Sequence, residues 1–560
     1  MKIFLAQQNY HVGNFEYNTN KIIEAIKAAK QQGGDIVVFS ELAVCAYPPR
    51  DFLYFKDFID KCMNAVNEIS NHADGIAVII GAPGRNEKFE GKDLYNCAYF
   101  LEDKKVKAIV NKTCLPTYDV FDEDRYFEAA EEWNVIEFKG KKIALTVCED
   151  IWILGDNPLY KDAPMNHLIL QLPDLMINIS ASPFDYTHDE DRKAAVKANV
   201  TKYKLPMFYC NGVGSQTEVV FDGTSLVFDK HANLCGRLKS FEEDLQGFVL
   251  NDDGTVEAPI IEHAADVRDT YLNPPQLDEA LNIDQIHNAL VMGIRDYFTK
   301  MGFKQAILGS SGGIDSAVTI ALACEALGKE NVHAILMPSQ FSTSHSVSDA
   351  EQLSVNLGNP YHIIPIKSIY ESFLSSLEPL FKGLPFSVAE ENLQSRTRGN
   401  LLMAIANKFN YILLNTSNKS ELATGYGTLY GDMAGGIGVL GDCYKLQIYE
   451  LAKFINRNGE IIPSNIITKA PSAELREGQK DSDSLPDYAV LDKILYQYIE
   501  QQKSPDEIKA MGFDEKVVDR ILRLVNMNEY KRNQFCPIIR VSPKAFGVGR
   551  RLPIVAKYLS

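Results

Sequence analysis

At 560 residues the chain exceeds one ordinary domain, and its composition (46% hydrophobic, 10% aromatic, 23% charged) excludes a disordered or low-complexity protein. A net charge of −17 argues against a nucleic-acid partner, since a basic face supplies most of that affinity, but leaves room for a small anion at one local site. The start, MKIFLAQQNY, lacks a signal peptide's apolar core, and no apolar run approaches a membrane span, so a cytoplasmic location without a membrane partner is expected.

The first block, residues 1–263, carries short β-branched or aromatic runs at 3–6, 36–39, 76–80, 143–147, 175–179 and 207–210. Amphipathic segments such as 19–30 and 58–70 lie between several of them, which is an α/β pattern. Ten cysteines show no CxxC pair or zinc spacing, so most are read as reduced, buried residues. Cys148 is the exception.

Three run ends place polar residues in apolar surroundings: Glu41 in FSELAVCAYPP, Lys112 in VNKTCLPTYDVFDEDRYF and Cys148 in LTVCEDIW. This set suits amide hydrolysis. A thiolate attacks the carboxamide carbon, a carboxylate moves the protons, and a lysine ammonium with the backbone N–H of Glu149 stabilises the oxyanion. A free thiol has a pKa of about 8.5, so Cys148 needs activation, which Glu41 and Lys112 can supply.

Residues 264–282, ADVRDTYLNPPQLDEALN and its preceding alanine, are irregular and hold a Pro-Pro pair; they read as a linker. The second block, 283–560, has runs at 306–308, 332–337, 362–366 and 411–414, each followed by a loop and a helix. An open, doubly wound sheet is expected, with ligands at the carboxyl ends of its strands.

After the run at 306–308 comes GSSGGIDS, and then the amphipathic run 317–327. Gly309, Ser310, Ser311, Gly312, Gly313, Ile314, Asp315 and Ser316 together make a tight turn whose N–H groups converge on an anion at a helix N-terminus. No Walker lysine is present. Asp315 would repel phosphate unless a divalent cation intervenes, which predicts Mg²⁺ with pyrophosphate.

SGGIDS resembles the loop of the N-type ATP pyrophosphatases, which cleave ATP between its α- and β-phosphates and transfer AMP to a substrate oxygen. The loop alone does not choose among that family's NAD, GMP, asparagine and tRNA-modifying branches. NTSNKSELATGYGTLY (415–430) is similar to the NAD synthetase branch, which implies that Thr416 contacts ATP and that Glu421 contacts metal or deamido-NAD. EENLQSRTRGNLLM resembles the same branch's dinucleotide-binding stretch and implies Asn392 and Arg396; Lys445 and Lys531 match lysines near the phosphates and the nicotinate. Leu429 and Gly436 depart from ammonia-dependent members, which often have lysine and aspartate there.

The first block resembles the carbon–nitrogen hydrolase (nitrilase) superfamily, an αββα sandwich whose Glu–Lys–Cys triad falls on Glu41, Lys112 and Cys148. Glu123 matches its additional glutamate. In the glutaminase branch the resemblance implies Tyr118, Ser182 and His188 as glutamine contacts beside Glu149, with His188 where lysine or arginine is usual. Together the two resemblances imply a glutamine-dependent NAD synthetase: glutamine, ATP and deamido-NAD as substrates, Mg²⁺ and no redox cofactor, ammonia passing through a sheltered channel, and a homo-oligomer. Another glutamine-dependent amidotransferase carrying the same ATP loop is the alternative.

Overall fold

The computed structural model describes residues 1–88, 90–154, 159–257, 282–479 and 485–558. The chain divides into two compact units, Met1–Leu272 and Asn273–Ser560. The expected linker at 264–282 lies, apart from Asn282, outside the described residues. No helix among those residues is long and apolar enough to cross a membrane.

The first unit is built on two large sheets, beside the two-stranded pair Val213–Gln216 and Val219–Asp222. In the larger, Lys2–Gln7, Ile36–Phe39 and Ala77–Arg85 run parallel, flanked by antiparallel Asp244–Leu250 on one side and Leu94–Glu102 on the other. In the smaller, Lys141–Val147, Leu175–Ser180 and Met207–Asn211 run parallel. Alternation along each strand decides the layering. Ile3, Leu5, Ile36 and Val38 meet Ile143, Leu145, Leu175 and Ile177 of the other sheet in one core. Phe4, Ala6, Val37 and Phe39 face the other way, onto the helices Phe15–Gln31 and Lys56–Ser70. The helix His188–Tyr203 covers the outer face of the second sheet through Val196 and Val200. Strands covered on both faces read as continuous apolar runs, and the result is the expected αββα sandwich.

Several strands escape the sequence pattern, Leu94–Glu102, Lys105–Asn111 and Asp244–Leu250 among them. Leu94–Glu102 is buried almost throughout but interrupted by Asn96, and Lys105–Asn111 is a lysine-bearing edge strand with most residues partly or fully exposed.

The second unit holds five parallel strands in the order Tyr361–Ile363, Val332–Leu336, Ala306–Gly309, Ile412–Asn415, Ile437–Gly438. The third run, expected at 362–366, is a three-residue edge strand beginning at Tyr361. Beyond it Ile364 and Ile366 still donate N–H bonds to Leu336 and Pro338, but the helix Lys367–Phe381 starts immediately after. Helix Val388–Phe409 lies on Ile307, Ile335 and Leu413 through Leu402 and Ala406. Helices Ile283–Met301, Ile314–Leu327 and Lys445–Ile455 pack against one another. The run read as amphipathic at 317–327 is instead buried on all sides from Ala317 to Ala323, because it is enclosed by these neighbours. The chain order of the sheet reverses at Ala306–Gly309, so the switch-point crevice opens above that strand's end.

Candidate active sites

In the first unit three strand ends converge. Glu41 follows Ile36–Phe39, Lys112 follows Lys105–Asn111, and Cys148 follows Lys141–Val147. Close approach at Glu41 requires Gly81: a Cβ there would lie 2.2 Å from the Leu42 nitrogen and 2.7 Å from the Glu41 Cα. The Lys112 ammonium is fully buried between two carboxylates, 2.7 Å from Glu41 Oε1 and 2.8 Å from Glu123 Oε1. Asn96 Nδ2 donates to both, at 2.7 Å to Glu41 and 3.2 Å to Glu123, and the Tyr47 hydroxyl donates to Glu123 at 2.9 Å. The Ala181 N–H donates to Glu41 Oε2 at 3.0 Å, so both carboxylates are fixed.

Cys148 is 3% exposed and sits at φ +43°, a conformation a cysteine keeps only where its neighbours hold it. Asp150 does the holding. Its Oδ2 accepts the Val147 N–H at 3.0 Å, and its Oδ1 accepts those of Thr113 and Cys114 at 3.0 and 2.9 Å. One carboxylate thereby ties the Cys148 turn to the segment leaving Lys112. Burial pushes the Cys148 thiol well above its ordinary value, and the Glu41 charge pushes the same way, while Lys112 opposes both. Cys148 therefore rests as a thiol near the Glu41 carboxylate, not as a free thiolate. Burial would lower the Lys112 ammonium, but Glu123 and Glu41 more than reverse that. Burial lifts the Glu123 carboxyl to about 7 against the pull of Lys112.

The expected glutamine contacts surround this centre in pairs. The half-exposed Tyr118 donates its hydroxyl to Glu149, 3.0 Å from each carboxylate oxygen. Ser182 Oγ and His188 Nε2 share a hydrogen bond of 2.7 Å, and the His188 ring stacks on Trp152 at 5.0 Å between centroids. The Ser182 N–H donates to Asn211 Oδ1 at 2.8 Å, which fixes that turn.

In the second unit a cavity of about 580 Å³ opens at the carboxyl ends of the central strands. Gly309, Ser310, Ser311, Gly313, Ile314, Asp315 and Ser316 line it, together with Thr416, Glu421 and Lys445. Gly312 is excluded from the lining but sets the turn. It lies at φ +77°, where a Cβ would meet the Ser346 carbonyl oxygen at 2.2 Å. Ser311 Oγ accepts the Gly313 N–H at 3.1 Å, and Ser316 Oγ donates to the Gly313 carbonyl at 3.0 Å. Ser310 Oγ is buried with no hydrogen-bond partner among the described residues.

Asp315 is held from both sides. Asn418 Nδ2 donates to Oδ1 at 2.9 Å, and Lys445 Nζ lies 2.5 Å from Oδ2. Asn418 also caps the helix Lys419–Thr424, exchanging bonds with Glu421. Behind the cavity, buried Asp492 accepts from Ser420 Oγ at 2.5 Å and from the Leu446 N–H at 2.9 Å, which binds the Glu421 and Lys445 helices together. Asp315 and Glu421 belong to no cluster of three His, Cys, Asp or Glu among the described residues. Two hard oxygen donors lining one cavity still fit Mg²⁺, which takes its remaining ligands from phosphates and water.

The other three residues expected to contact the dinucleotide, Asn392, Arg396 and Lys531, are not among those lining the cavity. They bracket the 425–429 loop instead. Asn392 Oδ1 accepts from Thr428 Oγ1 at 2.8 Å, Arg396 Nε donates to the Leu429 carbonyl at 3.2 Å, and Lys531 Nζ donates to the Gly425 and Gly427 carbonyls at 2.8 and 2.9 Å.

Asn96, Tyr47, Asp150 and Asn418 escaped the sequence reading. A lone asparagine inside the apolar run LYNCAYF was a usable signal for the first, and the Asn-x-x-Glu helix start for the last. The other two become visible only through contacts distant in sequence.

Residues 2–250 match the carbon-nitrogen hydrolase family and residues 286–535 the NAD synthase family. The chain is 42% identical to the glutamine-dependent NAD(+) synthetase of Synechocystis sp., covering 99% of each chain. It is 39% identical to that of Thermotoga maritima, covering 100% of this chain and 99% of the relative. The structure of the Acinetobacter baumannii glutamine-dependent NAD+ synthetase in complex with ADP matches with a TM-score of 0.76 at 37% identity, over 99% of this chain and 98% of that one. With both halves matched and full-length identity at this level, the chain belongs to the glutamine-dependent NAD(+) synthetases, ATP-dependent ligases that draw their nitrogen from glutamine.

Proposed function

We propose that Cys148, Glu41, Lys112 and Glu123 carry out glutamine hydrolysis in the first unit, and that the 309–316 loop, Thr416, Glu421 and Lys445 carry out adenylation of deamido-NAD in the second. The observation that carries the first assignment is a buried ammonium clamped by two carboxylates beside a buried thiol. Glu41 takes the thiol proton as sulfur bonds to the carboxamide carbon. Lys112 and the Glu149 N–H receive the oxyanion, and the proton passes to the departing ammonia as the C–N bond breaks. Water, deprotonated by the same carboxylate, then cleaves the thioester, giving glutamate and restoring the thiol. Tyr118, Glu149, Ser182 and His188 hold the amino-acid end of glutamine.

In the second unit the nicotinate carboxylate attacks the α-phosphorus and pyrophosphate leaves. Ammonia then attacks the activated carbon and AMP leaves, giving the carboxamide of NAD. The loop N–H groups, the orphaned Ser310 hydroxyl and Lys445 face the triphosphate. The Acinetobacter baumannii relative, described in complex with ADP, supports adenine-nucleotide binding by this protein. Mg²⁺, held by Asp315 and Glu421, supplies charge neutralisation at the phosphates when bound. Asn392, Arg396 and Lys531 serve deamido-NAD through the loop they brace. A chain charge of −17 supports small-molecule substrates without nucleic acid; in this reading the protein acts in the cytoplasm as a homo-oligomer.

Mass spectrometry tests the whole scheme. Deamido-NAD, ATP and amide-labelled glutamine should give labelled NAD, and unlabelled NAD from labelled glutamine in the absence of free ammonium would sink it.

A further inference from the structure

Two arginines stand two positions apart on the helix Val388–Phe409, and a helix turns such neighbours roughly 200° from each other. Arg396 reaches the Leu429 carbonyl, outside the cavity lining. Arg398 lines the cavity. Its Nε donates to the Met337 carbonyl at 3.0 Å, just past the strand Val332–Leu336. Met337 and Leu402, one turn further along the Arg398 helix, are the side chains that close on Gly309, the first residue of the phosphate loop. Arg398 and the loop thus border the same corner of the cavity.

The other end of this guanidinium is unanswered. No hydrogen bond or ion pair reaches its terminal nitrogens among the described residues, although Asp432 and Glu474 are near enough to act on it electrostatically. The buried Arg192 and Arg532 are different: each holds a carboxylate, Asp222 at 2.7 Å and Glu529 at 2.8 Å. Burial pulls the Arg398 guanidinium down to about 10 against the pull of those two carboxylates. A desolvated cation is costly unless an anion meets it. A planar fork of N–H donors suits an oxyanion with two free oxygens.

We propose that Arg398 binds an anionic oxygen of a reactant in this cavity, whether a phosphate of the nucleotide or the carboxylate of the acceptor. This rests on the reading of the cavity as the adenylation site, and it adds a direct ligand contact to a residue otherwise anchored only at Nε. Its place beside Gly309 favours phosphate over carboxylate.

The test uses the full chain with Arg398→Gln, which removes the charge, and Arg398→Lys, which keeps it without the fork. Deamido-NAD-dependent exchange of pyrophosphate into ATP gives KM for each reactant, and thermal unfolding with and without inorganic pyrophosphate gives a readout independent of turnover. Arg398→Gln should raise one KM about 10- to 100-fold, the loss of a charge-assisted hydrogen bond, with Arg398→Lys between it and the wild type. A selective rise in KM for ATP, with loss of the pyrophosphate-induced stabilisation, assigns the phosphate. A selective rise in KM for deamido-NAD, with that stabilisation intact, assigns the carboxylate. Unchanged values of both KM in an Arg398→Gln protein that melts with the wild type overturn the proposal. A wild type that pyrophosphate stabilises through Arg398, yet which shows no exchange, leaves the anion site standing and sinks the reading of the cavity instead.

Discussion

The Lys445 ammonium lies 2.5 Å from Asp315 Oδ2, with the lysine side chain 2% exposed. Burial would lower this lysine, but Asp315 and Glu421 together hold it above its ordinary value, so it stays charged. In the proposed phosphate loop a carboxylate is unfavourable by itself, and this contact offsets it with a fixed cation. Lys445→Met should lower kcat/KM for ATP by roughly 10²- to 10³-fold with either nitrogen source, the usual effect of removing one preorganised charge. Glutamine hydrolysis measured without ATP should continue. Asp315→Ala should abolish synthesis from both sources while sparing some glutaminase activity.

Cys148→Ala removes the sulfur but leaves the Lys112 clamp untouched. Glutamine-driven NAD synthesis should vanish, and ammonium-driven synthesis should persist. Steady-state assays with the two nitrogen donors decide it; failure of ammonium to restore the product contradicts the division of labour.

The Glu123 carboxyl, lifted to about 7 by burial, should show itself in the glutaminase pH profile. Below that value it is neutral and its ion pair with Lys112 is lost; above it that pair is complete. kcat/KM for glutamine should therefore fall as pH drops through about 7. Glu123→Gln should be slower and lack that acid limb. A variant profile parallel to the wild type would remove Glu123 from the chemistry.

Arg192 and Asp222 form a doubly bonded pair at 2.7 and 2.9 Å, and both are buried. Burial raises the Asp222 carboxyl, but Arg192 outweighs it and holds the group below its unfolded value. The stability this pair contributes is present above the unfolded pKa and lost as pH falls through the lower folded one. Arg192→Leu strands a buried carboxylate and should cost about 3–5 kcal/mol in denaturant unfolding at neutral pH. Arg192→Leu with Asp222→Leu should recover much of that loss.

Gly312→Ala places a methyl where the Ser346 carbonyl already stands, on a backbone at φ +77°. Nucleotide binding by calorimetry should be lost, while glutamine hydrolysis continues.

Much of this was legible in the residues because neighbours in sequence carry it. Apolar runs gave the central parallel strands, and the 309–316 loop is one contiguous string in which Ser311, Gly313 and Ser316 bond to one another. The clamp on Lys112 was only half legible. Glu41, Lys112, Glu123 and Cys148 stand at strand ends or in marked motifs, whereas Tyr47 and Asn96 reach them from 76 and 55 positions away from their respective carboxylate partners. Nothing local distinguishes such residues from ordinary core polar groups.

By itself the amino-acid order determined two α/β blocks and the families of both halves, and it led to the proposed thiol chemistry and ATP loop, because contiguous motifs and residue chemistry carry each of them. Only tertiary structure decided which charges face each other: that Lys445 answers Asp315, that Asp150 joins the Cys148 turn to the Lys112 segment, and that Arg398 rather than Arg396 lines the cavity. The reason is that an ion's partner, burial and charge state are set by whatever packs around it in space, and that environment is assembled from segments scores of residues apart.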